Sequence, residues 1–321
     1  MIGSVTYLRL SVTDRCDLRC AYCMPERMQF LPRAELLSIE ELDRLATLFI
    51  DMGVRKVRLT GGEPLLRKGF MELVEGLSRH LGDGLDELVI TTNGTRLAEH
   101  AAGLARHGVE RINVSIDSLD PANYARITRG GDLARVIRGV DAAIAAGIAV
   151  KINTVALAND NLGEAVLLAD WAQRRGAAIS FIEVMPLGDV EAARVDQHVP
   201  MSEVRRRLAE RWELTPMALN TGGPARYLRT NDGGTIGFIT PLSDNFCGNC
   251  NRVRVTCTGQ LYLCLGHDAR TDLRASLRNG DELALKAKIA AAVRHKPLSH
   301  DFRIAPTYTH GVDRHMSVTG G

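Results

Sequence analysis

Between Tyr7 and Met185 the chain six times follows a short run of β-forming residues with a longer helical one. The runs are Tyr7–Val12, Lys56–Thr60, Leu88–Thr92, Arg111–Ile116, Val150–Val155 and Ala178–Val184. Ser38-Ile-Glu-Glu41 makes a capping box that opens a helix, and Gly53, Gly108 and Gly147 stand where helices are expected to end. Helix-length connections join parallel strands, since antiparallel neighbours are usually linked by short turns. The expected fold is therefore α/β, an incomplete (β/α)6 TIM-type barrel, because six units fall short of the eight that close a full one.

The strand faces carry more information than their number. Side chains alternate along a strand, so Leu8, Leu10 and Val12 share one face and Arg9 and Ser11 the other. Val57 and Leu59 oppose Arg58 and Thr60; Ile112, Val114 and Ile116 oppose Asn113, Ser115 and Asp117; Ile152 and Thr154 oppose Lys151 and Asn153. TIM-type interiors are ordinarily packed with branched apolar residues. A repeated polar face predicts a hydrated or ligand-filled lumen, with the apolar faces against the helices.

After Met185 the pattern changes. Ser202 is placed to cap a helix running through Trp212, and turn-rich sequence then separates short strands such as Ala225–Arg229 and Thr235–Thr240. The expected division is a partial barrel over 1–186 and a smaller α+β region over 187–321 that covers the open side.

Forty Lys and Arg against 38 Asp and Glu leave a formal charge of +2, so nothing global points to nucleic acid or an anionic membrane. Any anionic ligand must be held by local charge. The N-terminus lacks the charged leader and apolar run of a secretory signal, and no uninterrupted apolar stretch is long enough to span a bilayer. A soluble protein of the reducing cytoplasm is expected. There, closely spaced cysteines more often bind metal or do redox chemistry than form disulfides.

Six of the seven cysteines form two triads. Cys16, Cys20 and Cys23 follow the first strand directly, at the strand end where functional loops of such barrels gather. Three thiolates can hold three irons of a [4Fe-4S] cluster and leave one iron open, whereas structural zinc normally takes four protein ligands. Cys247, Cys250 and Cys264 form the second triad, with Arg252, Val253 and Arg254 behind the pair. This triad reads either as a second open-iron cluster or as a zinc ribbon completed by Cys257 or His267.

The Cys-x3-Cys-x-Tyr-Cys run, with Gly61-Gly62-Glu63-Pro64 after the second strand, resembles the radical S-adenosylmethionine (SAM) enzymes. Leu8-Arg9-Leu10-Ser11-Val12-Thr13-Asp14-Arg15-Cys16, the Thr-Thr-Asn-Gly and Arg-Ile-Asn-Val-Ser segments, Cys-x2-Cys-Asn-Arg-x-Arg and the terminal Gly320-Gly321 resemble the GTP 3′,8-cyclases along essentially the whole chain. The resemblance implies two [4Fe-4S] clusters, one on Cys16, Cys20 and Cys23 and one on Cys247, Cys250 and Cys264. It implies SAM against Tyr22, Gly62, Ser115 and Met185, and GTP against Arg9, Arg58, Thr91, Lys151, Arg252, Val253 and Arg254. Arg9, Gly320 and Gly321 would serve catalysis, the glycines by reaching into the site. GTP would be converted to (8S)-3′,8-cyclo-7,8-dihydroguanosine 5′-triphosphate, the first step of molybdenum cofactor biosynthesis.

The implied partners are a flavodoxin- or ferredoxin-type one-electron reductant and a downstream cyclic pyranopterin monophosphate synthase; a homodimer is compatible with the sequence. Arg58 and Lys151 have a second reading as structural ion pairs with Asp117 or Glu183. Two other functions compete: a radical SAM peptide-modifying maturase, and an iron–sulfur electron carrier or zinc module without catalysis. A maturase predicts more C-terminal cysteines, and a carrier needs no anion pocket. Cys257, His300, His310 and His315 receive no role.

Overall fold

The computed structural model of the chain describes residues 5–188, 194–243, 247–300, 302, 312 and 314–320. Six strands pair in chain order, each parallel to the next: β1 (Tyr7–Ser11), β2 (Lys56–Thr60), β3 (Glu87–Thr92), β4 (Arg111–Ser115), β5 (Ala149–Ala156) and β6 (Ala178–Glu183). The crossovers carry α1 (Ile39–Asp51), α2 (Phe70–Ser78), α3 (Leu97–Arg106), α4 (Pro121–Thr128), α5 (Leu133–Ala145) and α6 (Ala165–Arg174).

Sequence dictates these elements locally. The Ser38 hydroxyl accepts from the Glu41 amide while the Glu41 carboxylate accepts from the Ser38 amide, closing the expected capping box. Leu42, Leu45, Ala46 and Phe49 then recur at helical spacing and are buried against the sheet. Burial of each large one contributes about 1.5–3 kcal/mol. The sheet supplies the matching surface: Leu8, Leu10, Val57, Leu59, Leu88, Ile90, Ile112, Val114, Ile152, Ile179 and Phe181 all lie in the same core.

The C-terminal region does more than cover the open side. Its strands β7 (Leu214–Met217), β8 (Arg226–Thr230), β9 (Thr235–Ile239), β10 (Arg252–Val255), β11 (Gln260–Tyr262) and β12 (Arg270–Asp272) extend both edges of one twelve-stranded sheet, in the order β12-β11-β10-β1-β2-β3-β4-β5-β6-β9-β8-β7. β10 is parallel to β1 and β9 parallel to β6, so eight consecutive strands run the same way. The other four strands pair antiparallel at the two ends.

The helix after Pro200 corrects one expectation. It spans Met201–Ala209, with Pro200 rather than Ser202 at its N-cap. Met201 is buried, which places it inside the first turn, and the chain leaves the helix early so that Trp212 is buried and donates to Asp232 at 2.7 Å.

Candidate functional site

Register decides which side chains meet. Arg58, Arg9 and Arg254 are neighbours across β2, β1 and β10, and Lys56, Tyr7 and Arg252 form the row two residues earlier. Asn113 pairs with both Thr91 and Lys151. All eight parallel strands therefore contribute to one cavity of about 1130 Å³, lined by Tyr7, Arg9, Arg58, Thr91, Arg111, Asn113, Lys151, Asn153, Ile182, Ile239, Arg252 and Arg254 among others. Cys247, Cys250 and Cys264 stand in its wall. The polar lumen read from strand alternation is present.

A second cavity of about 1100 Å³ adjoins it at the C-terminal strand ends, and Thr91, Asn153, Ile182, Met185 and Met316 line both. Its wall holds Cys16, Cys20, Cys23, Tyr22, Gly61, Gly62 and Ser115. The cysteine loop and the glycine turn are stitched together: the Gly62 amide donates to Thr13 O at 2.8 Å and the Glu63 amide to Arg15 O at 2.7 Å. A Cβ on Gly62 would lie 2.3 Å from Arg15 O, so no side chain fits there. The buried Glu63 carboxylate accepts from Thr92 Oγ1 at 2.7 Å and from the Asn93 amide at 2.7 Å, fixing the turn after β3. Burial pushes the Glu63 carboxyl up to about 7 despite those bonds.

Tyr22 donates to Asp117 Oδ2 at 2.7 Å, and the Val155 amide donates to Asp117 Oδ1 at 2.9 Å. Glu183 accepts from the Leu242 amide at 2.9 Å and from the Ser243 hydroxyl, tying the end of β6 to the segment before Cys247. Both acids are thus engaged elsewhere, which removes the ion-pair reading of Arg58 and Lys151. Instead Arg58 donates to the Tyr7 hydroxyl and to Thr91 Oγ1 at 2.8 Å, and Lys151 to the Tyr227 hydroxyl at 3.2 Å.

The cations crowd one another. Burial, followed by repulsion from Arg58, Arg111, Lys56 and Arg9, lowers Lys151 to about 7. Burial also lowers Arg9 to about 10, and Arg254 falls well below its ordinary value through burial and then Arg9 and Arg252. Burial alone would raise the Tyr7 phenol, but Arg58, Arg9 and Lys56 outweigh it and bring the group to about 7. Such a lumen is built for an anion.

Both triads fit iron–sulfur clusters in the chemistry of their donors, three soft thiols on one cavity wall in each case. None of the seven cysteines, all of them among the described residues, is in a disulfide. No three His, Cys, Asp or Glu side chains among the described residues close on a single ion. Burial pushes Cys16 up to about 12 and Cys20 well above its ordinary value, so a bound cation must supply the charge that makes them thiolates. Cys250 moves the other way, since Arg252 and Lys296 outweigh its burial.

Most of the expected site residues converge on these two cavities. Val253 and Gly320 line neither; the Val253 side chain is buried in the core on the opposite face of β10, leaving only its backbone near the lumen. Gly320 O accepts from Arg254 at 2.5 Å, which places the tail beside β1 and β10; Gly321 and His310 lie outside the described residues. Tyr7, Lys56, Arg111 and Tyr227 were not anticipated, although the alternation that picked out Arg9 and Arg58 also places Tyr7 and Lys56 on the lumen face. Arg314 and Lys296 had no local signal. They donate to carbonyls around Cys264, Arg314 to His267 O at 2.8 Å and Lys296 to Leu263 O at 2.5 Å. His300 lines the first cavity, 4.8 Å from the Phe302 ring centroid.

A partial barrel with a three-cysteine loop after its first strand and a close-packed glycine turn after its second defines a class of cluster-bearing, SAM-binding folds. The Radical SAM superfamily model matches residues 10–172, and the Molybdenum Cofactor Synthesis C model matches residues 177–302. The GTP 3′,8-cyclase of Caulobacter vibrioides is 58% identical over 321 residues, 99% of this chain and 92% of the relative. That of Nitrobacter hamburgensis is 57% identical over 322 residues, 99% of this chain and 94% of the relative. Among solved structures, Streptococcus suis SuiB bound to S-adenosylmethionine superposes with a TM-score of 0.63 at 14% identity, covering 90% of this chain and 68% of that one, which is a likeness of fold. The chain belongs to the radical SAM superfamily and, within it, to the GTP 3′,8-cyclases.

Proposed function

We propose that this chain converts GTP to (8S)-3′,8-cyclo-7,8-dihydroguanosine 5′-triphosphate in molybdenum cofactor biosynthesis, as a lyase with two [4Fe-4S] clusters and SAM. The observation that carries the reading is the pair of adjoining cavities, each with its own cysteine triad, joined across a lumen of arginine and lysine. Cys16, Cys20 and Cys23 would hold the cluster that works with SAM, and Cys247, Cys250 and Cys264 the one that faces GTP. When bound, the first cluster and SAM would supply the one-electron chemistry that removes hydrogen from the ribose C3′ of GTP, so that this carbon can bond to C8 of guanine as the C8–N7 double bond opens, with one further electron from the proposed reductant and one proton completing the 7,8-dihydro ring.

The chain's own work is binding and positioning. Arg9, Arg58, Lys151, Arg252 and Arg254 offer charge to the triphosphate in a lumen that screens poorly, which explains how a chain of net charge +2 takes so anionic a substrate. Thr91, at the junction of the cavities, belongs with them, as does the backbone of Val253. Tyr22, Gly62, Ser115 and Met185 line the wall proposed for SAM. The ribose must sit where the two cavities meet, because misplacement by about 1 Å costs a reaction of this kind on the order of a hundredfold. Met185 and Met316 line that junction with apolar side chains that would keep water from it. Arg9, Gly320 and Gly321 complete the catalytic set, the tail holding Arg254 in place.

A flavodoxin- or ferredoxin-type reductant and a downstream cyclic pyranopterin monophosphate synthase are the proposed partners, and a reducing cytoplasm suits seven cysteines outside any disulfide. No described helix is long and apolar enough to cross a membrane. The proposed division stays at residues 186 and 187, between a radical SAM partial barrel and a C-terminal region that brings the second triad and further GTP-binding residues to the shared lumen. The test is anaerobic reconstitution with iron and sulfide, then reductant, SAM and GTP. About eight irons per chain and GTP-dependent 5′-deoxyadenosine are expected; about four irons would remove the second cluster.

A further inference from the structure

We propose that Tyr7 is a positioning residue for the nucleotide phosphates, its hydroxyl aiming the Arg9 and Arg58 guanidiniums into the lumen without neutralising them. This rests on the GTP reading of the cavity. Tyr7 is 2% exposed, lines the cavity, and occupies the lumen face of β1 two residues before Arg9. It accepts from Arg58 Nε, and Arg58 continues to Thr91 Oγ1 at 2.8 Å and Ile90 O at 3.4 Å. The same hydroxyl bonds Arg9. Lys56 lies over the Tyr7 ring, 5.2 Å from its centroid.

A carboxylate in this position would hold the guanidiniums equally well but would cancel the charge that binds an anion. A phenol directs them as a neutral acceptor once a bound anion has offset the surrounding positive charge. The groups that face Tyr7 are Arg9 on its own strand, Lys56 and Arg58 on β2, and Arg252 and Arg254 on β10, with Lys151 and Arg111 across the lumen and Glu87 ion-paired to both Lys56 and Arg111. Every one inside the lumen is a cation. The crowd that favours phenolate in the empty cavity is offset when a triphosphate enters, so Tyr7 regains its proton on binding.

The test compares reconstituted wild type, Tyr7→Phe, Arg58→Lys and the double variant. Tyr7→Phe is expected to raise the GTP dissociation constant and KM about tenfold, the cost of a lost hydrogen bond to a charged group, while kcat at saturating GTP and iron content stay near wild type. Calorimetry in buffers of different ionisation enthalpy is expected to find less proton uptake per GTP in Tyr7→Phe, the remainder belonging to Lys151. If Tyr7 acts through Arg58, adding Tyr7→Phe to Arg58→Lys costs little more. Unchanged GTP affinity in Tyr7→Phe, or full additivity in the double variant, overturns the inference. A wild type that binds no GTP overturns the nucleotide reading and this inference with it. Loss of iron or of fold in Tyr7→Phe assigns Tyr7 a structural role and also overturns it.

Discussion

The Arg254 guanidinium donates to the Gly320 carbonyl at 2.5 Å, so the last described residue of the chain is tied to β10, inside the sheet that forms the lumen. Gly320 has φ 76° and ψ 134°, and a Cβ there would lie 2.1 Å from Thr60 Cγ2. Gly320→Ala must therefore move the tail, at a backbone cost of about 1–3 kcal/mol before the clash is counted. Turnover is expected to fall at least about tenfold with both clusters retained. Product analysis beside iron determination checks this, and wild-type turnover would refute it.

Gly62→Ala acts at the other cavity. Its new methyl meets Arg15 O at 2.3 Å, adjacent to Cys16, at a backbone position of ordinary φ. The glycine turn and cysteine loop must separate, so SAM cleavage should drop by about tenfold or more while the second triad keeps its iron. Iron per chain and 5′-deoxyadenosine formation, measured together, distinguish this from general unfolding. Normal SAM cleavage would show that the close approach has no bearing on the cofactor.

Lys151 gives a pH dependence with a definite sign. Its native value, lowered to about 7 from 10.5, means that between those limits the unfolded chain binds more protons than the native one. Stability of the nucleotide-free protein is therefore expected to rise with pH through that window, the penalty of burying the charge being fully present below about 7. Lys151→Met should flatten this part of the curve, raise Tm below neutrality and weaken GTP binding. Melting curves across pH settle it; an unaltered slope in Lys151→Met contradicts the assignment.

Cys257 is the seventh cysteine. It is buried, lines neither cavity, and its carbonyl accepts from the Leu37 amide at 2.7 Å. Cys257→Ser is expected to lower stability by about 1–3 kcal/mol through a buried hydroxyl, with iron content and turnover unchanged. Loss of one cluster's iron would make Cys257 a ligand.

The legible part of this molecule was local. Strand alternation separated Arg9, Arg58 and Lys151 from the core residues between them, and the Ser38 capping box lies within four residues of sequence. The six strands begin and end within one residue of their expected bounds, because each carries its own apolar periodicity. Pairing across the chain was not legible. β10 is four residues long, and its place beside β1 depends on a contact between Tyr7 and Arg252 that no local pattern encodes. The same holds for Arg314 and Lys296, whose partners are backbone carbonyls of a distant loop. Tyr7 was overlooked for a different reason: an aromatic at the start of a strand reads as core until the cations around it are seen.

The central claim is that the lumen presents the ribose of GTP to the chemistry at the first triad. GTP deuterated at C3′ tests it most directly, in anaerobic turnover with reductant and SAM. Deuterium is expected in the 5′-deoxyadenosine and absent from that carbon of the cyclised product. Unlabelled 5′-deoxyadenosine, or the same amount formed without GTP, would contradict the account.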